Sequence, residues 1–312
     1  MSRQQRARID ELVRHPGGEQ PRSIEGLRAA FRELMARMTV PDGIRTRPTT
    51  LGERPALLVE PDRAARPGTI LYFHGGSFVA GSPQTAMSLT GNLVVRTGIR
   101  ALSLDYRLAP EHPFPAAIED GVGAYRALLD SGEDPSAIAF AGDSAGGGLT
   151  ITTCLAARDA GLPLPAAIAA FSAGLDMTRT GASMRTKADL DPFLTRAGLD
   201  RTGSLYLAGQ DPRRPLLSPA VLGDLTGLPA MLLQAGTHEM LLDDSTRMAA
   251  RARDAGVDVI LDITADVPHV FQAFAGALEE ADEALDRAAL FLCQRLRVAG
   301  DGSRGVALPS SP

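Results

Sequence analysis

Between residues 69 and 298 short apolar runs alternate with stretches of helical period, and this rhythm restricts the fold more than any other feature of the chain. The runs at 69–73 (Thr-Ile-Leu-Tyr-Phe), 100–104, 137–141 (Ala-Ile-Ala-Phe-Ala), 166–172, 229–235 and 257–263 are nearly continuous in apolar residues. A strand with one wet face alternates apolar and polar residues; a strand covered on both faces does not need to. Helical patterning follows at about 115–129, up to Ala160, at 244–255 and from Val270 to Val298. The expected architecture is therefore α/β, a mostly parallel central sheet with helices on both faces. Residues 54–60 (Arg-Pro-Ala-Leu-Leu-Val-Glu) read as a further strand.

Three stretches break the rhythm. Residues 1–45 read as a helical arm, with Ser23 as N-cap and Ile24, Leu27, Phe31, Leu34, Met35 and Met38 at spacings of three and four before Pro41-Asp42-Gly43 ends it. Such a stripe has to pack against something. Residues 176–218 are polar, Arg-rich and Pro-punctuated, with weak helical patterning near 195–208, and read as a lid inserted above the sheet. Residues 299–312 read as a disordered tail. The expected division is a cap arm (1–45), a core in two pieces (46–175 and 219–298), a lid (176–218) and the tail. Arg179, Arg185, Arg196 and Arg201 in the lid could meet an acidic substrate but read first as solvated surface. Solvated surface is also the reading for Glu279, Glu280, Asp282 and Glu283, which with Arg295 and Arg297 complement a helix dipole.

Charge and composition exclude several function classes. A net charge of −5 speaks against a nucleic-acid partner, and the absence of Trp with only 4% aromatic residues speaks against base-stacking platforms. By the same scarcity any pocket is expected to be lined by aliphatic groups. Cys154 and Cys293 stand alone in helical stretches and read as small buried hydrophobes, with no ligand spacing for a metal. The polar opening Met1-Ser2-Arg3-Gln4-Gln5-Arg6 leads into no apolar core of a signal peptide, and no apolar run is long enough to cross a membrane. A cytoplasmic protein is expected.

The chemistry is concentrated at Gly142-Asp143-Ser144-Ala145-Gly146, directly after the run 137–141 and before a helix. This G-x-S-x-G pattern puts a serine on a tight strand-to-helix turn, where flanking glycines remove the crowding of a Cβ. A dinucleotide-binding reading fails because Ser144 stands where a second glycine is required. A serine hydroxyl needs a base to take its proton and an acid to orient that base. In strand-to-helix hydrolases the order along the chain is serine, acid, histidine. Of the five histidines only His238 and His269 follow Ser144, and His269, just past the run 257–263, is the expected base. For the acid, Glu239 ranks first, at the tip of the turn after the run 229–235. Asp243, at a helix start, ranks second, and Asp266, on the loop of His269 itself, third. Backbone N–H groups of Gly75, Gly76 and Ala145 are the expected donors to a developing oxyanion, with His74 bracing their loop.

Together these segments resemble the bacterial hormone-sensitive-lipase family of α/β-hydrolase esterases. The resemblance is carried by His74-Gly75-Gly76, Asp105-Tyr106-Arg107-Leu108-Ala109-Pro110-Glu111 with Pro113-Phe114-Pro115, Gly142–Gly147, Leu241-Leu242-Asp243-Asp244 and Pro268-His269, and spans nearly the whole chain. It implies an α/β-hydrolase fold with a helical cap made of the arm and the insertion. It further implies hydrolysis of short- to medium-chain or small apolar carboxylic esters, with lactones or acetyl esters as further substrates, without cofactor or metal. The run 105–111 would be structural support, and the resemblance allows a homodimer through the edge strand near 257–263. Non-catalytic receptors and amidases or peptidases on the same fold are the competing expectations. Three departures stand out: Ser77 in place of a third glycine, Glu239 where many relatives carry Asp, and Ser172-Ala173-Gly174-Leu175-Asp176 without the usual Pro-aromatic pair.

Overall fold

A computed structural model describes residues 2–14 and 23–296. Its centre is one eight-stranded sheet in the order β1-β2-β4-β3-β5-β6-β7-β8. The strands are β1 (Ile44–Leu51), β2 (Arg54–Pro61), β3 (Arg66–Phe73), β4 (Ile99–Leu104), β5 (Ile138–Asp143), β6 (Ala167–Phe171), β7 (Ala230–His238) and β8 (Val259–Pro268). β1 pairs antiparallel with β2 and β2 antiparallel with β4, whereas β4-β3-β5-β6-β7-β8 are parallel. The apolar runs are thus the parallel strands, and β5 and β6 are buried along their whole length, as their unbroken apolar patterns require.

The helices are α1 (Ser2–Arg14), α2 (Ile24–Met35), α3 (Met87–Thr97), α4 (Ala116–Asp130), α5 (Ala145–Asp159), α6 (Ser183–Thr186), α7 (Arg196–Leu207), α8 (Pro219–Leu222), α9 (Leu242–Asp254) and α10 (Glu279–Arg295). Two cores fill the faces of the sheet. One joins Phe73, Leu104, Tyr125, Phe140, Leu149 and Leu233; the other joins Tyr72, Leu93, Phe171, Phe271, Leu285 and Leu292.

Four differences from the sequence reading have physical causes. β1 begins inside the segment read as arm; Ile-Arg-Thr-Arg-Pro-Thr-Thr-Leu is mostly exposed and carries Pro48, as a strand at the sheet's edge tolerates. α3 has no apolar stripe because eight of its residues are buried, so no polar face marks its period. The last helical stretch is interrupted: a 3₁₀ turn at Phe271–Phe274 precedes α10, which starts at Glu279. Finally, the acidic start of α10 is more than a solvated face, since Glu280 pairs with Arg6 of α1 at 3.1 Å and Asp282 with Arg96 at 2.5 Å. The expected tail, 299–312, lies outside the described residues. Among the described residues no helix is long and apolar enough to cross a membrane.

What places the site is the closeness of α5 to β3. Gly146 lies against the end of β3, where a Cβ would stand 2.0 Å from the Phe73 carbonyl oxygen and 2.4 Å from that of His74. Because those neighbours are backbone in the middle of a sheet, they cannot yield. Gly146→Ala is expected to cost more than about 2 kcal/mol, read as a lowered urea midpoint at unchanged m-value.

Candidate active site

Ser144 sits between β5 and α5 with φ 53° and ψ −118°, a backbone state that costs a non-glycine residue of order 1–3 kcal/mol. The turn is held from both sides: the Ser144 N–H donates to Phe171 O at 2.8 Å, and its carbonyl accepts from the N–H groups of Gly148 and Gly174, both at 3.0 Å. Strain cannot relax while those three bonds persist. Ser77, Phe78, Ser172 and Val270, which surround Ser144, also have positive φ.

His269 follows β8 directly and brings its Nε2 to 2.8 Å from Ser144 Oγ. Its Nδ1 lies 2.8 Å from Glu239 Oε2. With Nδ1–H donating to the carboxylate, Nε2 is left as the acceptor facing the serine hydroxyl. Glu239 is fully buried just past β7; its other oxygen accepts the Gly236 N–H at 3.0 Å, which fixes the carboxylate's orientation. The extra methylene of Glu239 is thus absorbed by a turn that ties the side chain back to its own strand. Burial pushes the Glu239 carboxyl up, against the opposing pull of His269. Burial pushes His269 down, but the hydrogen bond and charge of Glu239, with Asp191 and Asp143, outweigh it and hold the imidazole above its ordinary value.

The other acids and His238 are occupied elsewhere. Asp243 accepts the Ser183 N–H at 2.9 Å beneath the lid, and Asp266 pairs with Arg6 at 3.1 Å and lies 3.5 Å from His238. None of these touches His269.

The oxyanion loop requires one correction. The Gly75 N–H is already committed to Asp143 Oδ1 at 3.1 Å, so it is not available to a ligand. Gly76 and Ser77 border the cavity at Ser144 and Ala145 borders the space beyond it; none of their three N–H groups has an acceptor among the described residues. These three are the N–H groups left for a ligand there. Asp143, which sequence reasoning passed over, is the anchor of this loop. It also accepts from Tyr72 Oη at 2.8 Å, and burial pushes its carboxyl up to about 6 despite both bonds. The only sequence signal was its place inside the serine motif. His74 braces the loop as expected: it is buried, bonds the Gly75 carbonyl through Nδ1 at 2.8 Å and stacks on Tyr106 at 4.2 Å. Burial takes its imidazole down to about 4, so it stays neutral. Tyr106, in the run 105–111, donates to His74 O at 2.7 Å.

Two spaces meet at Ser144. The larger, about 310 Å³, is bordered by His269 and roofed by α2 and the lid through Leu27, Phe31, Leu34, Phe193 and Leu199. No residue of α2 is fully buried: Leu27, Phe31, Leu34 and Met35 line this cavity, and Leu27, Leu34 and Met35 also pack against the edges of the two cores. Phe31, Phe193 and Phe274 correct the expectation of an aliphatic lining. Arg28 ties α2 to the core, donating to Val79 O at 2.8 Å and to both oxygens of Glu111 at 2.9 and 2.6 Å. The smaller space, about 40 Å³, lies on the other side of Ser144, bordered by Phe78, Ala145, Gly174, Met177, Leu199 and Arg179. Its wall is the loop after β6 that lacks the Pro-aromatic pair. Among the described residues no group of three or more His, Cys, Asp or Glu is placed to hold a metal ion.

Comparison with known proteins agrees with this geometry. Residues 70–273 match the model of a family described as alpha/beta hydrolase fold. An acetyl-hydrolase of Streptomyces hygroscopicus is 42% identical over 88% of this chain and 90% of its own length. An esterase of Acinetobacter venetianus is 36% identical over 69% of this chain and 71% of its own. The crystal structure of an esterase from the bacterial hormone-sensitive lipase family superposes with a TM-score of 0.90 at 40% identity, covering 94% of this chain and 99% of that one.

The polarity of the Ser144–His269–Glu239 relay fixes a pH response. With His269 as the base that the sequence predicts, its free base form would be the active one, and kcat/KM is expected to fall on the acid side with a midpoint above the ordinary imidazole value. In Glu239→Gln that midpoint moves to lower pH, because the hydrogen bond and charge that raise it are gone, and kcat drops about 10³–10⁴-fold. A pH profile of p-nitrophenyl acetate hydrolysis measures both.

Proposed function

The chain belongs to the bacterial hormone-sensitive-lipase family of α/β-hydrolase esterases and is a serine carboxylesterase, and from that membership we propose that Ser144, His269 and Glu239 hydrolyse short-chain acyl esters through an acyl-enzyme. The observation that carries this reading is the unbroken relay of two 2.8 Å contacts, open to a cavity on either side of the serine.

In this mechanism His269 Nε2 takes the Ser144 proton as Oγ attacks the acyl carbonyl, while Glu239 steadies the imidazolium. The N–H groups of Gly76, Ser77 and Ala145 receive the oxyanion; one such donor is worth about 2.7–4 kcal/mol in the transition state. His269 then protonates the leaving alcohol, and the acyl group stays on Ser144 until water, deprotonated by the same imidazole, releases it. A general acid has to reach the leaving oxygen. His269 borders the larger cavity and not the smaller, so the alcohol lies in the larger and the acyl group in the smaller. At about 40 Å³ against about 310 Å³ the acyl side is much the narrower, which suits short acyl groups from acetyl to butyryl. That size suits the acetyl-hydrolase among the relatives.

Cys154 and Cys293 are unpaired, which suits the reducing cytoplasm where the proposal places the enzyme. β8 is a free sheet edge, and Ile260, Ile263 and Leu290 are exposed; a homodimer contact is proposed there.

Ser144→Ala is expected to lower p-nitrophenyl acetate turnover by at least about 10⁴-fold with an unchanged melting temperature. An organophosphate should label the native protein once, on the peptide containing Ser144. Wild-type turnover in the variant, or no label, would sink the assignment.

A further inference from the structure

We propose that Arg179 sets the acyl-chain limit of this esterase, its buried side chain closing the far end of the small cavity so that chains longer than butyryl are refused. The inference rests on Ser144 being the nucleophile and on the acyl group lying in that cavity.

Of the four lid arginines that the sequence suggested were solvated, Arg185, Arg196 and Arg201 are exposed, but the Arg179 side chain is only 10% exposed and borders the small cavity. Its backbone is in the left-handed region, φ 52°, on a turn closed by its own N–H donating to Asp176 O at 3.1 Å. This turns the side chain inward, under α7. There Nη2 donates to Leu199 O at 2.5 Å, and Nε lies 3.5 Å from Asp200 Oδ1.

The facing position on α7 is Gly203, where a Cβ would stand 2.5 Å from Arg179 Nη2. The guanidinium therefore occupies the place that a side chain at 203 would otherwise fill, and the two positions complement each other in volume. An apolar side chain at 179 would rotate away from an incoming chain; this one is tethered to a helix carbonyl.

Burial disfavours its charge and lowers the guanidinium's pKa, opposed by Asp200, the near partner, and by Asp244 and Asp176. With Nη2 on Leu199 O and Nε beside Asp200, the guanidinium is engaged by the protein and acts as a wall and not as a receptor for an acidic acyl group. A rigid wall one methylene too close discriminates by roughly 10–200-fold, whereas a flexible one does not.

The test is kcat/KM on p-nitrophenyl acetate, butyrate, hexanoate and octanoate, with ethyl and hexyl acetate as a control on the alcohol side. Native enzyme should lose about tenfold or more between butyrate and hexanoate. In Arg179→Ala the hexanoate-to-acetate ratio should rise about 10–100-fold, while the hexyl-to-ethyl acetate ratio does not move. Arg179→Met, which fills similar length but lacks the tether to the helix carbonyl, should raise the same ratio severalfold, by less than alanine does, and covers the case in which the alanine variant does not fold. An unchanged profile in folded Arg179→Ala, or native enzyme indifferent to acyl length, would overturn the proposal. So would a native preference for hemisuccinate esters that both variants lose, since that would make the charge, not the bulk, the determinant. Absence of turnover on every ester would instead overturn the assignment of Ser144.

Discussion

Everything at the site depends on the approach of α5 to β3. The elbow can place Ser144 above the sheet only if the first turn of α5 lies on the carbonyls of Phe73 and His74, and at Gly146 that leaves no room for a Cβ. Gly142 is under the same restriction, since a Cβ there would stand 2.6 Å from Gly146 O. The strained backbone of Ser144 is the consequence, and three backbone hydrogen bonds from β6, α5 and the loop after β6 hold it. Once α5 is pressed onto β3, the loop leaving β3 has to run beside the serine. Asp143 then reaches across to the Gly75 N–H and fixes that loop, leaving the next two N–H groups facing the cavity.

The electrostatics follow from burial. Glu239 and His269 are both removed from water, and each alone would shift toward its neutral form. Their mutual hydrogen bond reverses this for His269, which becomes a stronger base than a free imidazole. Asp191, in the lid, takes part from a distance: it accepts the Met240 N–H at 2.8 Å and the N–H groups of Phe193 and Leu194 at 2.9 and 2.8 Å. It thus ties the lid to the turn carrying the acid, and the cavity wall at Phe193 is coupled to the geometry of the relay. The cap contributes both: Ile9, Val13 and Met38 join the core, while α2, anchored by Arg28, lines the cavity with Leu27, Phe31, Leu34 and Met35.

The parts legible in the sequence were those set by local pattern. Unbroken apolar runs announced a sheet covered on both faces, and Ser23, read as an N-cap, accepts the Gly26 N–H at 3.0 Å. The serine motif between a strand and a helix led to the site. Elements escaped where the local pattern is degenerate. α3 is buried nearly all round and so shows no stripe, and β1 is polar because one edge of the sheet faces water.

Order along the chain was enough to bring Ser144, His269 and the turn containing Glu239 together as a candidate site, because the fold has few places where a loop end meets the serine. Order was not enough to separate Glu239 from Asp243, to see that Gly75 is consumed by Asp143, or to turn Arg179 inward from a segment of otherwise exposed arginines. Those outcomes depend on which donor meets which acceptor across 20 to 68 residues, as for Arg179 with Leu199, Asp243 with Ser183 and Asp143 with Gly75. A hydrogen bond is decided within a few tenths of an ångström. Sequence periodicity carries no information at that scale, and only the packed tertiary structure does.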